Sequence, residues 1–322
     1  MALYLITGAA GFIGSSIARE LVRRGECVRS IDNFESGKPE NIAAIRDRID
    51  FREVDILDYH GLKEAMAGVD WVFHQAALPS VPLSVNDPAR SHNININGTF
   101  NVLLAAREAK VKRVVYAASS SAYGETLTLP KHEDMVPSPV SPYAVQKLTG
   151  EHYMQAFSRV YGLETVCLRY FNIFGPYQDQ SSPYSGVIAK FITKMLAGES
   201  PTIYGDGEQS RDFTYVDNAV QANLLAMVAP ASAAAGQSYN IGIGRQISLN
   251  ATFEALRQII GFQGPVNYAA PRVGDVKHSR ADISRAREAL QYSPEVGFEE
   301  GLRKTVDWYK GNFVNPRAVA AV

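Results

Sequence analysis

The sequence predicts an α/β protein whose main domain is a doubly wound parallel sheet. A glycine-rich turn joins a buried strand to an amphipathic helix at the start of the chain, in LYLITGAAGFIGSSIARELVRRG. Apolar strand patterns then alternate with helical patterns as far as residue 170, and strands that alternate with helices pair in parallel. Ligands bind at the carboxyl ends of the strands in such sheets, so the residues directly after each strand are the functional candidates.

The turn after the first strand allows close backbone approach. Gly8, Gly11 and Gly14 follow the strand at three-residue spacing. Free N–H groups at the start of the next helix, together with the helix dipole, bind a pyrophosphate, and glycines let the backbone approach it. Three glycines in such a turn can also serve packing alone, so a second feature is needed.

The second strand, residues 27–31, supplies that feature because Asp32 follows it directly. An acidic residue 18 positions after Gly14 suits the adenosine ribose hydroxyls and repels a 2′-phosphate. This pattern favours NAD over NADP, although an aspartate at a strand end can also be an ordinary turn residue.

The later elements divide the chain into two domains. Strands are predicted at 49–54, 69–74, 111–119 and 163–170, and longer helices at 89–109, 142–161 and 217–228. Beyond residue 172 the elements shorten and turns become frequent. We therefore expect an NAD-binding domain at 1–172, to which 217–240 returns, and a smaller mixed α/β substrate domain, mainly 173–322.

Composition excludes several classes of function. The net charge of −1 shows no nucleic-acid footprint, and no apolar run reaches membrane-spanning length. The chain starts in a strand, without a signal peptide. Cys27 and Cys167 both fall in strands predicted to be buried, which supports neither a disulfide framework nor a metal site. We therefore expect a cytoplasmic protein.

A candidate acid–base pair follows the fifth strand. Ser119 ends that strand, and Tyr143 and Lys147 lie one turn apart on a helix that Ser141 and Pro142 begin. A nearby ammonium and the positive nicotinamide ring favour the phenolate, whose ordinary pKa is about 10. Such a tyrosine can take a proton from a sugar hydroxyl while hydride leaves the same carbon. A tyrosine and a lysine at this spacing are also common on solvated helix faces, so the order of all the features matters.

Several stretches carry a resemblance to a known family: TGAAGFIG, HQAA, AASSSAYG, SPYAVQK, RYFNIFGP, GDGEQSRDFTYVDN and RVGDVKHSRAD. Together they resemble the extended short-chain dehydrogenase/reductase superfamily over nearly the whole chain. Within it the chain is similar to the nucleotide-sugar 4-epimerases, especially the UDP-N-acetylglucosamine branch. The resemblance implies a Rossmann-type fold and the cofactor NAD.

The resemblance also assigns residues to the cofactor and to catalysis. Ser119, Tyr143 and Lys147 are the implied catalytic residues. The implied NAD contacts are Gly8, Gly11, Phe12, Ile13, Gly14, Asp32, Asn33, Ser36, Gly37, Asp55, Ile56, Gln75, Ala76, Ala77, Asn95, Tyr143, Lys147 and Tyr170.

A UDP-sugar is the implied substrate. Its implied contacts are Ser80, Val81, Ser84, Ser119, Ser120, Ser121, Tyr143, Asn172, Val187, Tyr204, Arg211, Arg272, Asp275 and Ser279. Arg211 and Arg272 would hold the pyrophosphate, for which the guanidinium fork is suited, and Asp275 the uridine ribose. Each arginine could instead form a surface ion pair, and the stretch from Ser80 to Ser84 could be loop and packing.

Two places in the chain bear on which reaction is catalysed and which sugar is bound. Relatives that eliminate water carry an Asp-Glu pair after the catalytic Ser or Thr, and related decarboxylases an acid at the position of Ser121, whereas this chain has Ser120 and Ser121. In galactose-type epimerases the residue four after the ribose-binding aspartate sets the pocket size. That residue is Ser279 here, which is small and leaves room for an N-acetyl group.

The sequence therefore favours C4 epimerisation of UDP-GlcNAc and UDP-GalNAc, with UDP-Glc and UDP-Gal also possible. A UDP-glucuronate 4-epimerase, a dehydratase, a decarboxylase, a net redox enzyme on an activated sugar and a non-catalytic NAD-sensing regulator remain alternatives. Relatives usually form homodimers through a four-helix bundle of the helices near 90–108 and 142–160, and we expect the same here.

Overall fold

The computed structural model describes residues 2–179, 186–271 and 277–312. Its strands, in chain order, are β1 (Leu3–Thr7), β2 (Cys27–Asp32), β3 (Asp50–Glu53), β4 (Trp71–His74), β5 (Arg113–Ser119), β6 (Glu164–Tyr170), β7 (Ile173–Phe174), β8 (Thr202–Tyr204), β9 (Ser210–Arg211), β10 (Thr214–Tyr215), β11 (Gln237–Ile241), β12 (Ile247–Ser248) and β13 (Asn267–Ala269).

The helices, in chain order, are α1 (Phe12–Arg23), α2 (Tyr59–Met66), α3 (Val81–Asn86), α4 (Pro88–His92), α5 (Thr99–Glu108), α6 (Pro142–Tyr161), α7 (Val187–Leu196), α8 (Val216–Val228), α9 (Ala231–Ala234), α10 (Leu249–Ile260), α11 (Ser284–Leu290) and α12 (Phe298–Asn312). A π-helical turn, Asn93–Gly98, joins α4 to α5, and 3₁₀ turns span Pro39–Asn41, Ala43–Arg48 and Ser120–Tyr123.

Within the described residues, seven strands form one sheet in the order β11-β6-β5-β4-β1-β2-β3. Every neighbouring pair in this sheet is parallel. The predicted Rossmann-type α/β fold is confirmed. The order places the carboxyl ends of β1, β4, β5 and β6 side by side, which brings together residues far apart in the chain.

Helices cover both faces of the sheet. Helix α1 packs beside α8 over one face, and α2, α5 and α6 pack together over the other. The apolar core accordingly forms two clusters, which contain Ile17 and Ala219 on the first face and Leu62 and Val102 on the second. With both faces covered, the strands carry apolar residues on both sides.

Helix α6 has defined signals at both ends. The Ser141 hydroxyl accepts a hydrogen bond from Ala144 N at 3.2 Å, and Pro142 occupies the first helical position. Gly162, in the left-handed conformation, ends the helix. Together these signals fix where Tyr143 and Lys147 leave the helix.

The structure differs from the sequence-based expectations in three places. The helix predicted at 89–109 is interrupted by the π-helical turn, and α3 forms over a stretch that could have been a loop. Cys27, expected to be buried, is exposed because it starts β2 at the surface end of the strand. Cys167, within β6, is buried as expected.

Apart from β11, the described strands beyond residue 172 pair only as short ladders. Strand β7 pairs with β10 and β8 with β13 in parallel, and β9 pairs with β12 antiparallel. Helices α7, α10 and α12 pack against one another. Strand β11 belongs to the main sheet. Among the described helices, none has the length and apolar character needed to cross a bilayer.

Candidate active site

A cavity of about 380 Å³ follows the carboxyl ends of the central strands. The residues that line it and that the sequence assigned to the cofactor are Gly8, Gly11, Phe12, Ile13, Gly14, Asp32, Asn33, Ser36, Asp55, Ile56, Gln75, Ala76, Ala77, Tyr143, Lys147 and Tyr170. Ser80, assigned to the substrate, also lines this cavity.

The glycine turn is packed so tightly that larger residues do not fit. Gly8 has φ +68°, and a Cβ there would lie 2.7 Å from the backbone of Ala76. A Cβ on Gly14 would lie 2.1 Å from the carbonyl oxygen of Gly8. Gly11 begins α1 without a side-chain cap, so no side chain occupies the helix N-terminus. This arrangement leaves a cradle suited to a pyrophosphate.

Asp32 is held at the end of β2 by two backbone donors. Ala10 N and Phe34 N each donate to its carboxylate at 2.8 Å. Burial raises the pKa of Asp32, and the hydrogen bonds from the backbone oppose that shift. A Cβ on Gly37 would lie 2.7 Å from the same carboxylate, so Gly37 packs behind Asp32 rather than lining the cavity.

Asn33 and Asp55, which follow β2 and β3, link the ends of these two strands at the edge of the cavity. Asn33 Nδ2 donates to Asp55 Oδ2 at 2.9 Å, and Leu57 N donates to Asp55 Oδ1 at 2.7 Å. Asn95 is buried in the π-helical turn, where its Oδ1 accepts from Leu78 N at 2.8 Å. Asn95 therefore supports a wall of the cavity from behind.

Two of the three predicted catalytic side chains, Tyr143 and Lys147, line this cavity, and Ser119 directly follows the lining residues Ala117 and Ala118. The Ser119 hydroxyl lies close enough to the Tyr143 phenol to lower its pKa. Ser121 Oγ in turn donates to Ser119 Oγ at 2.8 Å. Lys147 lines the cavity, and its Nζ lies 4.8 Å from the centre of the Tyr116 ring. The structure thus brings the three residues together.

Burial dominates the ionisation of this group. Burial raises the pKa of Tyr143 to about 12, and the Ser119 hydroxyl opposes the shift. Burial lowers the pKa of Lys147 to about 8, and the nearby Glu151 carboxylate opposes that shift. The sequence led us to expect that the Lys147 ammonium would favour the Tyr143 phenolate, but without bound NAD the burial of the phenol has the larger effect on its pKa. Tyr143 is therefore a neutral phenol until further positive charge enters the cavity.

A second cavity, of about 550 Å³, adjoins the first. Gln178 and Gly186 line both. The predicted substrate residues that line the second cavity are Asn172, Val187, Tyr204 and Arg211. Asn172 Nδ2 donates to Ser279 Oγ at 3.4 Å, which brings Ser279 to its rim.

Other predicted substrate residues have different positions. The Ser84 hydroxyl is buried, where it accepts from Tyr143 N at 3.1 Å and donates to Val81 O at 2.7 Å. Val81 is exposed and, like Ser84, does not line either cavity. Ser120 and Ser121 open the 3₁₀ turn after β5. Arg272 and Asp275 lie outside the described residues.

Sequence reasoning missed several residues at this site. Lys38 and Asp179, which line the first cavity, form an ion pair of 2.5 Å across its mouth. Asn223, buried in α8, bonds to two cavity-lining side chains. No motif marks these residues, because they are brought in from separate elements. Over the described part of the chain, no group of three or more His, Cys, Asp or Glu residues could hold a metal ion.

Comparison with known proteins identifies the family. A model described as the NAD dependent epimerase/dehydratase family matches residues 4–242. The chain belongs to this family. The curated relatives include a putative UDP-glucose 4-epimerase of Methanocaldococcus jannaschii, 38% identical over 96% of this chain and 99% of the relative.

Solved structures of similar proteins agree over nearly the full length. A UDP-glucose 4-epimerase from Thermotoga maritima, solved with UDP-glucose, is 39% identical, with a TM-score of 0.92 over 97% of this chain and 100% of that chain. A UDP-N-acetylglucosamine 4-epimerase from Methanobrevibacter ruminantium is 41% identical, with a TM-score of 0.91 and coverages of 97% and 99%. A UDP-glucuronic acid 4-epimerase from Bacillus cereus, solved with its substrate and NAD, is 34% identical, with a TM-score of 0.89 and coverages of 97% and 100%.

This family member thus groups with nucleotide-sugar 4-epimerases, and its cofactor is NAD. The first cavity fits that cofactor. Its glycine cradle leaves room for a pyrophosphate, and the Asp32 carboxylate lies where a ribose diol would donate to it.

Proposed function

We propose that this protein inverts C4 of a UDP-hexose, interconverting UDP-GlcNAc and UDP-GalNAc and accepting UDP-Glc and UDP-Gal as well. One observation carries the proposal: Tyr143, near the Ser119 hydroxyl and one helical turn from Lys147, lines a cavity that adjoins a second cavity lined by Arg211. An acid–base group next to the cofactor and a separate grip for a diphosphate are what such a reaction requires.

Tyr143 acts as the general base in this proposal. Bound NAD⁺ supplies a hydride acceptor, later a donor, and a positive charge. Ionisation of Tyr143 becomes favourable once that charge and the Lys147 ammonium offset its burial. Tyr143 then takes the proton of the 4-hydroxyl, with Ser119 sharing the hydrogen bond, and returns it to the 4-keto sugar after the sugar has turned over.

The second cavity would hold the UDP portion. Arg211 lines it, and a guanidinium suits a pyrophosphate. Asn172 would contact the phosphates, and Arg272 and Asp275 would complete the UDP contacts. The grip must be on the diphosphate rather than on the hexose, because the 4-keto sugar has to rotate before hydride returns to its other face.

Ser279 is the proposed size gate. Its hydroxyl contacts Asn172 at the rim of the second cavity, and a serine there leaves room for an N-acetyl group. We therefore expect Ser279→Tyr to lose turnover of UDP-GlcNAc while keeping that of UDP-Glc. Ser279→Ala, which keeps the room and removes the hydroxyl, is the matched control and should process both.

The deciding experiment incubates pure protein with UDP-GlcNAc, UDP-Glc and UDP-GlcA in separate reactions, without added nicotinamide, and analyses the products. C4 epimers of the first two support the proposal. Turnover of UDP-GlcA alone indicates a uronate epimerase, and products that have lost water or carbon dioxide indicate a dehydratase or a decarboxylase. A requirement for stoichiometric NAD indicates a net redox enzyme, and NAD binding with no turnover indicates a regulator.

We also propose a homodimer that pairs the helices spanning 88–108 and α6 of two copies into a four-helix bundle. The support is a stripe on α6 at helical spacing, in which Val145, Tyr153, Ala156 and Val160 are exposed and Thr149 is half-buried. Both valines and Tyr153 are exposed large hydrophobic residues. An apolar stripe of this kind is typical of a helix that packs against a partner.

A further inference from the structure

We propose that Asn223, on α8, is a positioning residue that fixes the polar wall against which the nicotinamide end of the cofactor is seated. Asn223 does not line the cavity and is fully buried. It acts through Gln75 and Tyr170, which do line it. The inference goes beyond the proposed acid–base group, because it names a residue on another element that sets the geometry of the same site.

Three side chains form a closed ring of hydrogen bonds. Asn223 Nδ2 donates to the Tyr170 hydroxyl at 2.7 Å, the Tyr170 hydroxyl donates to Gln75 Oε1 at 3.4 Å, and Gln75 Nε2 donates to Asn223 Oδ1 at 3.2 Å. All three bonds run in the same sense, so each hydroxyl or amide group both donates and accepts. Such a ring holds the orientation of its members more firmly than separate pairs would.

The ring is anchored at each corner. Asn223 Nδ2 also donates to Ala219 O at 2.8 Å, which uses its second hydrogen. Gln75 directly follows β4, and its backbone N–H donates to Thr7 O at 3.2 Å. Tyr170 ends β6 and is buried. Only the two side chains that face the cavity could turn, and Asn223 prevents it.

The place of the ring in the sheet links it to the reaction. Tyr170 lies opposite Ser119 in the register of β5 and β6. Ser119 lies near the Tyr143 phenol, and Tyr143 and Tyr170 line the same cavity, so the ring stands beside the proposed acid–base group. Nothing else at this end joins α8 to the cavity wall among the described side-chain hydrogen bonds. A nicotinamide ring seated here would meet Tyr170 and Gln75 first.

Asn218 offers a matched control. It is buried in the same helix, five residues earlier, but faces away from the cavity. Its Nδ2 donates to Val296 O at 2.8 Å, and its Oδ1 accepts from Glu295 N and Val296 N. Replacing Asn218 removes as many hydrogen bonds as replacing Asn223 and leaves the cavity wall intact.

The experiment compares full-length wild type, Asn223→Leu and Asn218→Leu after bound nucleotide has been exchanged for NADH. We expect Asn223→Leu to change the emission of bound NADH and to release it about tenfold faster. Its kcat should fall by about ten- to a hundredfold, because small displacements of reacting groups are costly, with KM for the UDP-sugar unchanged. Asn218→Leu should lower Tm but keep wild-type emission, release rate and kcat.

The outcomes separate this inference from the proposed function on which its kinetic part rests. If Asn223→Leu loses stability but keeps wild-type emission, release rate and kcat, Asn223 is merely structural and the inference is overturned. If Asn223→Leu does not fold, Tyr170→Phe decides, since it opens the same ring: it must change the emission of bound NADH relative to wild type, and unchanged emission overturns the inference. A wild type without epimerase activity would defeat the proposed function, while the NADH measurements would still decide the role of Asn223.

Discussion

At the scale of single residues, Tyr143 combines burial with the proton transfer proposed for it. Its phenol lies near the Ser119 hydroxyl, and burial raises its pKa to about 12. Tyr143→Phe removes one hydroxyl and leaves the ring packing in place. We expect kcat to fall about 10²- to 10⁴-fold, the range for loss of a general base, with Tm close to wild type.

The control for this substitution is Tyr59→Phe, on α2, whose hydroxyl bonds to Glu108 at the surface. It should keep wild-type activity. Turnover of UDP-sugars by Tyr143→Phe at the wild-type rate would contradict the assignment of the base. The measurement is initial rates alongside thermal unfolding of both variants.

Asp212 couples protonation to stability at another buried position. Burial raises the pKa of Asp212 to about 6, although Ile243 N, Gly244 N and Ala281 N all donate to its carboxylate. Between pH 4 and 6 the folded state therefore binds more protons at this group than the unfolded state, whose carboxyl has a pKa near 3.8. The contribution of Asp212 to the free energy of unfolding falls as the pH rises through this window.

Asp212→Asn removes this dependence. We expect the difference in unfolding free energy, wild type minus variant, to decrease by about 2 kcal/mol between pH 4 and pH 6.5 in urea titrations. A difference for Asp212→Asn that is flat, or that rises with pH, would show that the carboxyl is ionised at pH 4 in the folded protein.

At the scale of elements, the turn between β1 and α1 depends on contacts that only glycine allows. Gly8→Ala combines an unfavourable φ of +68° with a Cβ 2.7 Å from the backbone of Ala76. Gly25→Ala has a similar φ of +79° but meets nothing within 4 Å. Gly25→Ala should cost about 1–2 kcal/mol of unfolding free energy, from backbone conformation alone. Gly8→Ala should cost at least twice as much, since the backbone at Ala76, just after β4, must move.

Urea unfolding of the two glycine variants provides the comparison. Because the φ angles are similar, the difference between them isolates the steric contact. Equal losses of stability would mean that the backbone around Ala76 can move to accommodate the added methyl group. Tight packing would then not be the reason for glycine at position 8.

Elements with a regular period were predictable, and those set by distant contacts were not. Helix α6 follows its local signals from Ser141 to Gly162, and β1, β2 and β6 match their apolar runs. The π-helical turn gives no local signal, because Asn95 is directed inwards by bonds to Leu78 and Gln146. Helix α3 did have a signal, the cap of Ser80 and Pro82 in its first turn, within a stretch considered only for pocket or loop.

The candidate site divides in the same way. Residues that end a strand, such as Asp32, or directly follow one, such as Gln75, could be named from the sequence because strand ends converge in a parallel sheet. Asn223 could not, since its position depends on how α8 packs on the sheet. The role of Ser84 was also out of reach, because its bond to Tyr143 N joins elements 59 residues apart.

At the scale of the whole molecule, the stripe on α6 predicts how two copies meet. Val145, Tyr153 and Val160 are exposed at spacings of eight and seven residues, which places them on one side of the helix. Phe100 contacts Tyr153 with ring centres 5.2 Å apart, so α5 contributes to the same surface. Pairing with a second copy would remove this apolar surface from water.

Val145→Glu combined with Tyr153→Glu should convert the dimer to a monomer, because pairing would bury four uncompensated carboxylates. Light scattering coupled to size-exclusion chromatography should show the mass halved. Val85→Glu, an exposed valine on α3, is the control and should remain dimeric. A dimer that persists in the double variant would mean that the two copies meet through another surface. A wild type that is monomeric at micromolar concentration would mean that the proposed dimer does not form. Neither Val145 nor Tyr153 lines the two cavities, so a folded monomer should still bind NAD.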